Sequence, residues 1–107
     1  MLLIREVFNC KPGKVKPMVE KFRTMSRLME KAGQGQGRIR ILTDLCAERY
    51  WTVVFEMEVE NLKAFDDMMS GQGPQMSAED TKAMEKVFDG YHDLIVKGRR
   101  EIYKIEG

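Results

Sequence analysis

Between residues 49 and 59, RYWTVVFEMEV, apolar side chains recur at every second position: Trp51, Val53, Phe55, Met57 and Val59. The alternate positions, Tyr50, Thr52, Val54, Glu56 and Glu58, are mostly polar or charged. A period of two is the signature of a strand with one face on a core and the other against something wetter. Residues 2–8, LLIREVF, and 38–45, RIRILTDL, have strand composition as well, and RREIYKI, 99–105, predicts a last strand. Between the first two strands the spacing changes. Val15, Met18, Val19, Phe22, Met25, Met29 and Ala32 fall in steps of three and four, one stripe of an amphipathic helix. Pro17 falls near its start, where a missing N–H costs little, and Gly33 is a natural C-terminal cap. NLKAFDDMM, 61–69, predicts a short helix capped by Asn61, with Leu62, Phe65 and Met69 on one face. Ser77 is placed to cap a third helix whose stripe is Met84, Val87, Phe88, Tyr91 and Ile95, with Leu94 beside it and Gly98 at its end.

The order strand, helix, strand, strand, helix pair, strand is the split βαβ arrangement. It predicts an α+β, ferredoxin-like fold, with a four-stranded antiparallel sheet covered by helices on one face. Residues 1–107 then form a single domain, which suits a chain of 107 residues. The first and second strands run parallel with the third between them. Cys10 and Cys46 follow the same ends of those two outer neighbours, roughly 9–10 Å apart, beyond the about 7 Å that a disulfide spans. Both are expected as free, partly buried thiols.

A sheet with helices on one side leaves its other face open. Strand three contributes Tyr50, Thr52, Val54 and Glu56 to that face, and strand two contributes Arg38, Arg40 and Leu42. For strand one the pattern allows either Leu3, Arg5, Val7 and Asn9 or Leu2, Ile4, Glu6 and Phe8. The set with Arg5 is assigned to the open face, because the other has the character of helix-side core. The face is too apolar for plain solvent and too polar for a core, so a partner is expected over part of it, leaving a pocket. Its expected ligand-binding residues are Arg5, Arg38, Arg40, Tyr50, Thr52 and Glu56.

Two stretches carry a resemblance. REVFNCKPGKVKPMVEKF resembles the opening strand, Pro-Gly turn and long helix of the dimeric α+β barrel superfamily, and YWTVVFEMEVENLKAFDDM resembles its third strand and short helix. NipSnap-like proteins and antibiotic-biosynthesis monooxygenases belong to that superfamily. The resemblance implies a homodimer packed through the open sheet face, with a pocket at the sheet interface or between sheet and helices. It further implies binding of a small aromatic or polyketide-like molecule, with cofactor-independent oxygenase or isomerase chemistry as the enzymatic reading and a non-catalytic dimerisation module as the alternative. No cofactor is expected. Catalytic residues do not carry over: the histidine that the monooxygenase branch often places four residues after a small residue corresponds here to Met68, after Ala64. The haem-degrading set of Asn, Trp and His has counterparts in Asn9, Trp51 and His92, but Trp51 shares the apolar row and His92 lies far along the third helix.

Composition narrows the remaining choices. Hydrophobic residues make up 43% and charged residues 33% of the chain, ordinary for a globular protein. The apolar run at the N-terminus is shorter than a secretory h-region and none nears the roughly 18 residues of a membrane span, so the protein is read as cytoplasmic. The net charge of +1 hides an asymmetry: residues 1–49 carry 11 Lys/Arg against 5 Asp/Glu, and residues 50–107 carry 7 against 12. Complementarity between two helices accounts for it. The single histidine, His92, has no carboxylate or thiol at ligand spacing, so no metal site is expected, and it is read as a boundary residue beside Phe88 and Ile95. An RNA-recognition domain shares this element order, but RYWTVVFE, 49–56, lacks the stacking aromatics of its signature, and a pI near 7.7 gives no basic footprint. KAGQGQGRIR, 31–40, has the look of a phosphate loop. Its glycines, however, follow a helix and lead into a strand, opposite to the order that points free N–H groups at an anion, so Gly33 reads as a cap and 35–37 as a turn.

Overall fold

The computed structural model describes residues 1–34 and 38–107. Strand β1 spans Leu2–Cys10, helix α1 Val15–Lys31, β2 Ile39–Thr43, β3 Thr52–Val59, α2 Leu62–Met69, α3 Ala78–Phe88 and β4 Ile95–Lys104. The four strands form one sheet in the order β2-β3-β1-β4. All three pairings are antiparallel, so β3 lies between the parallel β1 and β2. The turn proposed at residues 35–37 lies outside the described residues.

Each element forms for local reasons. The α1 stripe becomes a row of buried side chains, Met18, Phe22, Met25 and Met29. Gly33 closes the helix at φ +74, its N–H donating to the Glu30 carbonyl while that of Gln34 donates to Met29. This is the Schellman closure. Asn61 caps α2 by accepting from the Ala64 N–H at 2.8 Å, and Ser77 caps α3 by accepting from Asp80 N–H at 3.1 Å. The opposite charges of the chain's halves meet between α1 and α3. Lys31 pairs with Asp80 at 3.0 Å, and Lys21 Nζ donates to the Val87 and Asp89 carbonyls at 2.9 and 3.0 Å, closing the negative end of α3.

The core lies between sheet and helices, on Ile4, Phe22, Val53, Phe55 and Met57 among others. Phe22 stacks on Phe55 with ring centroids 5.2 Å apart and meets Phe8 at 5.5 Å. Strand β1 therefore sends Ile4 and Phe8 to the helices and Arg5, Val7 and Asn9 to the open face.

Six expectations change. The third helix stops at Phe88, because Gly90 takes φ +76; Tyr91–Leu94 form a 3-10 turn. That turn keeps residues three apart on one side, so Tyr91 and Leu94 still reach the core and mimic a continued α stripe. Gly98 is accordingly no helix end but lies inside β4, opposite Phe8. Strand β3 begins at Thr52 rather than residue 49. Trp51 holds φ +63, which turns its side chain off the alternation, so it is 44% exposed instead of sharing the helix-facing row with Phe55. On α2 only Phe65 of the expected face is buried, Leu62 and Met69 being exposed, because an eight-residue helix meets the sheet along a narrow line. Cys46 is exposed and Cys10 buried, both free; burial, with the Asp44 charge adding, pushes the Cys10 thiol up.

Gly98 supports a specific expectation. A Cβ there would lie 2.8 Å from Phe8 Cδ1 and Cε1. Gly98→Ala should therefore cost about 1–2 kcal/mol in urea unfolding, overpacking outweighing the gain from a less flexible unfolded chain. An unchanged midpoint would show that the Phe8 ring swings aside freely.

Candidate functional site

Two regions gather functional side chains, one on each side of the sheet. On the open face, register places Arg40 opposite Glu56, Glu56 opposite Arg5, and Arg5 opposite Glu101. The result is a row of alternating charge across all four strands. Glu56 Oε2 accepts from Arg40 Nη2 at 2.8 Å, Glu56 Oε1 lies 3.2 Å from Arg5 Nε, and Arg5 Nη1 donates to Glu101 Oε1 at 3.2 Å. Arg99 Nε and Tyr103 Oη also donate to Glu101, at 2.8 and 3.2 Å. The Arg99 bond holds the Glu101 carboxyl below its ordinary range. The side chain of Glu56 is only 8% exposed, covered by the long arginine stems beside it. Arg5 Nε is buried without a hydrogen bond, its approach to Glu56 being a charge contact out of line.

Of the six residues expected at a ligand site on this face, Arg5, Arg40 and Glu56 come together in that row. Thr52 is separate. It is joined through its Oγ1 to Asn9 Nδ2 at 3.1 Å and to the Arg49 carbonyl at 2.8 Å, and with Arg5 it borders a small concavity of about 170 Å³. Arg38 is exposed just before β2, its carbonyl accepting from Glu58 N–H at 3.0 Å. Tyr50 is 80% exposed in the β2–β3 connection, where Leu45 is fully exposed too.

The larger cavity, about 550 Å³, lies on the other side, between the sheet and the helices, a size suited to a small organic ligand. Its walls are apolar: Phe8, Phe22, Phe55 and Phe65 contribute rings, and eight of the chain's nine methionines, all but Met1, line it. Unbranched thioether side chains adapt their shape to what they contact. The exposed Met69 and Phe88 mark its mouth. Glu6 and Arg100, cross-strand neighbours on β1 and β4, bring an ion pair to its floor. The Arg100 guanidinium lies 5.1 Å over the Phe65 ring. Lys21, Gln34 and Tyr91 supply the other polar groups. His92 is not among the lining residues and stands beside Tyr91, ring centroids 4.0 Å apart.

The sequence reading placed Glu6 in the helix-side row without a role, favoured packing over an adaptable binding surface for the methionines, and passed over Arg100. One signal was present: Glu6 is a lone carboxylate in the otherwise apolar row Leu2, Ile4, Glu6, Phe8. Its partner Arg100 is 94 residues away, beyond the reach of any spacing rule.

No family model matches the chain, and no curated protein matches it. Solved structures do. An uncharacterised NIPSNAP domain protein from Burkholderia xenovorans superposes with a TM-score of 0.71 at 11% identity, covering 98% of this chain and 94% of its own. A NIPSNAP family protein from Agrobacterium tumefaciens gives 0.67 at 10% identity over 96% and 90%. A proposed antibiotic biosynthesis monooxygenase from Nitrosomonas europaea gives 0.66 at 16% identity over the full length of both chains. At these identities the likeness is one of architecture: this chain has the ferredoxin-like α+β fold that these NIPSNAP and antibiotic-monooxygenase neighbours also have.

Proposed function

We propose that this protein binds a small aromatic or polyketide-like molecule in its helix-side cavity and works as a homodimer joined through the open sheet face. The cavity carries the reading: about 550 Å³ walled by aromatic rings and thioethers, with a few polar groups at one side. The ligand is placed there rather than among Arg5, Arg38, Arg40, Tyr50, Thr52 and Glu56, because the charges of Arg5, Arg40 and Glu56 already satisfy one another. The open face is assigned to a second copy. Leu42 and Tyr103 are exposed on it, and Leu45, Tyr50 and Trp51 stand exposed at its rim, a grouping of apolar side chains that marks contact surfaces. The two central strands present no aromatic ring there, Arg5, Val7, Val54 and Glu56 occupying their middle, which does not suit base stacking. Among the described residues no helix is long and apolar enough to cross a membrane.

For chemistry, the proton-bearing groups at the cavity are Glu6, Lys21, Tyr91 and Arg100, without a histidine or cysteine. Binding is therefore the function proposed. Oxygenase turnover is a further step suggested by the name of the Nitrosomonas neighbour.

Thermal-shift titration with aromatic acids and quinols tests the binding, and light scattering tests the assembly. A bound compound raises Tm in step with its concentration, and the scattering mass at micromolar protein is twice 12.4 kDa. A clean single-chain mass refutes the dimer, and no shift with any compound refutes the binding site.

A further inference from the structure

We propose that Arg100 is the anion-recognition group of the helix-side cavity, held in place by Glu6 and Phe65, so that the cavity selects planar apolar acids over their neutral isosteres. This rests on the reading of that cavity as a ligand site. Three observations carry it.

First, Glu6 and Arg100 face each other across β1 and β4 on the side of the sheet where neighbouring positions are Ile4, Phe8 and Ile102. The pair is open to solvent on one side, the Arg100 side chain being 43% and that of Glu6 21% exposed, so it adds little stability and leaves its charges within reach of a ligand entering the cavity. Second, the pair engages only part of each group. Arg100 Nε bonds Glu6 Oε1, and no protein partner is found for the two terminal guanidinium nitrogens or for Glu6 Oε2 among the described residues. The Phe65 ring under the guanidinium restrains its plane, and a planar fork with both terminal nitrogens free receives a carboxylate through two parallel hydrogen bonds. Third, the charges do not cancel. Glu6 is the one acidic lining residue, against Arg100 and Lys21. Lys21 is spent on neutral carbonyls, so the cavity has one positive charge in excess and a monoanion balances it. The rings and thioethers along the rest of the wall suit a flat apolar body, methionine sulfur favouring ring edges.

Calorimetric titration with β-naphthoate and β-naphthamide, equal in shape and different in charge, tests this. The parent protein should bind the acid on the order of tenfold more tightly, the size of a charge-assisted hydrogen-bonded contact. Arg100→Gln should erase the preference, leaving both probes at the affinity of the amide; amide binding also reports that the variant is folded. Arg100→Lys should keep part of it, having charge without the fork. Glu6→Gln should tighten naphthoate several-fold and leave naphthamide unchanged, because a competing carboxylate is gone; a merely structural pair would instead weaken both. Equal binding of the two probes to the parent, or a preference that survives Arg100→Gln, overturns the role of Arg100 while the cavity stands as a binding site. Binding of neither probe, together with a blank thermal-shift screen, overturns the cavity reading and this inference with it.

Discussion

Phe22→Ala is expected to cost about 3–5 kcal/mol, the range for removing a buried aromatic side chain. Phe22 is the middle ring of the Phe8–Phe22–Phe55 group and the point where α1 grips the sheet. A domain of this size has about 5–15 kcal/mol in all, so the loss takes a large share of it. At about 4 °C per kcal/mol or more, Tm should fall by at least roughly 12 °C. Phe22 also lines the cavity, so alanine enlarges an existing space, and the surrounding methionines can close only part of it. Phe22→Leu keeps most of the buried volume and should recover more than half the loss. Chemical denaturation with both variants checks the order. A loss under about 1 kcal/mol for Phe22→Ala would mean that α1 does not seat on the sheet through this ring.

Glu56→Ala should cost about 2–3 kcal/mol. Removing one partner of a fully buried ion pair costs about 3–5 kcal/mol. Here the arginine side chains are 30% and 50% exposed, so both can partly rehydrate, and the smaller figure follows. Glu56→Gln keeps the shape and one acceptor and should lose about 1 kcal/mol. If a second copy covers this face, the parent's Tm rises with protein concentration, and Glu56→Ala flattens that dependence because the unpaired arginines would have to be buried. A cost within about 0.5 kcal/mol, as for exposed pairs, would show that the row contributes no more than ordinary surface charges.

The two variants probe features of unequal legibility. The Phe22 side of α1 was readable in the sequence, since steps of three and four place Met18, Phe22, Met25 and Met29 on one line in any α-helix. The Arg40–Glu56–Arg5 group was readable in part. Alternation puts all three on one face, and the topology makes their strands neighbours, but the register that sets them side by side comes from pairing. Glu101, which continues the row, lies inside the expected strand 99–105, but setting it beside Arg5 depends on how β4 pairs with β1 across 96 residues.

Trp51 shows where period reasoning stops. Alternation assumes extended backbone at every position, and one left-handed residue rotates its side chain out of the series. The Asp44 carboxylate accepts from Thr52 N–H at 2.7 Å and the Trp51 carbonyl accepts from Cys10 N–H at 2.8 Å. These contacts hold the turn, and they involve residues that a window centred on Trp51 does not connect.

From sequence alone came the order of the elements, the helix stripes, the split βαβ topology and the composition of the open sheet face, because each depends on backbone periods and turn chemistry acting over a few residues. The cavity and its polar floor were decided by the tertiary structure. A cavity is the volume left when α1, α2 and α3 settle on the sheet at the separations their side chains allow, and no single segment encodes it. The meeting of Glu6 with Arg100 likewise needs β1 and β4 in register at opposite ends of the chain. The methionines, most of them on the helix stripes, form a cavity wall only because that space remains between them.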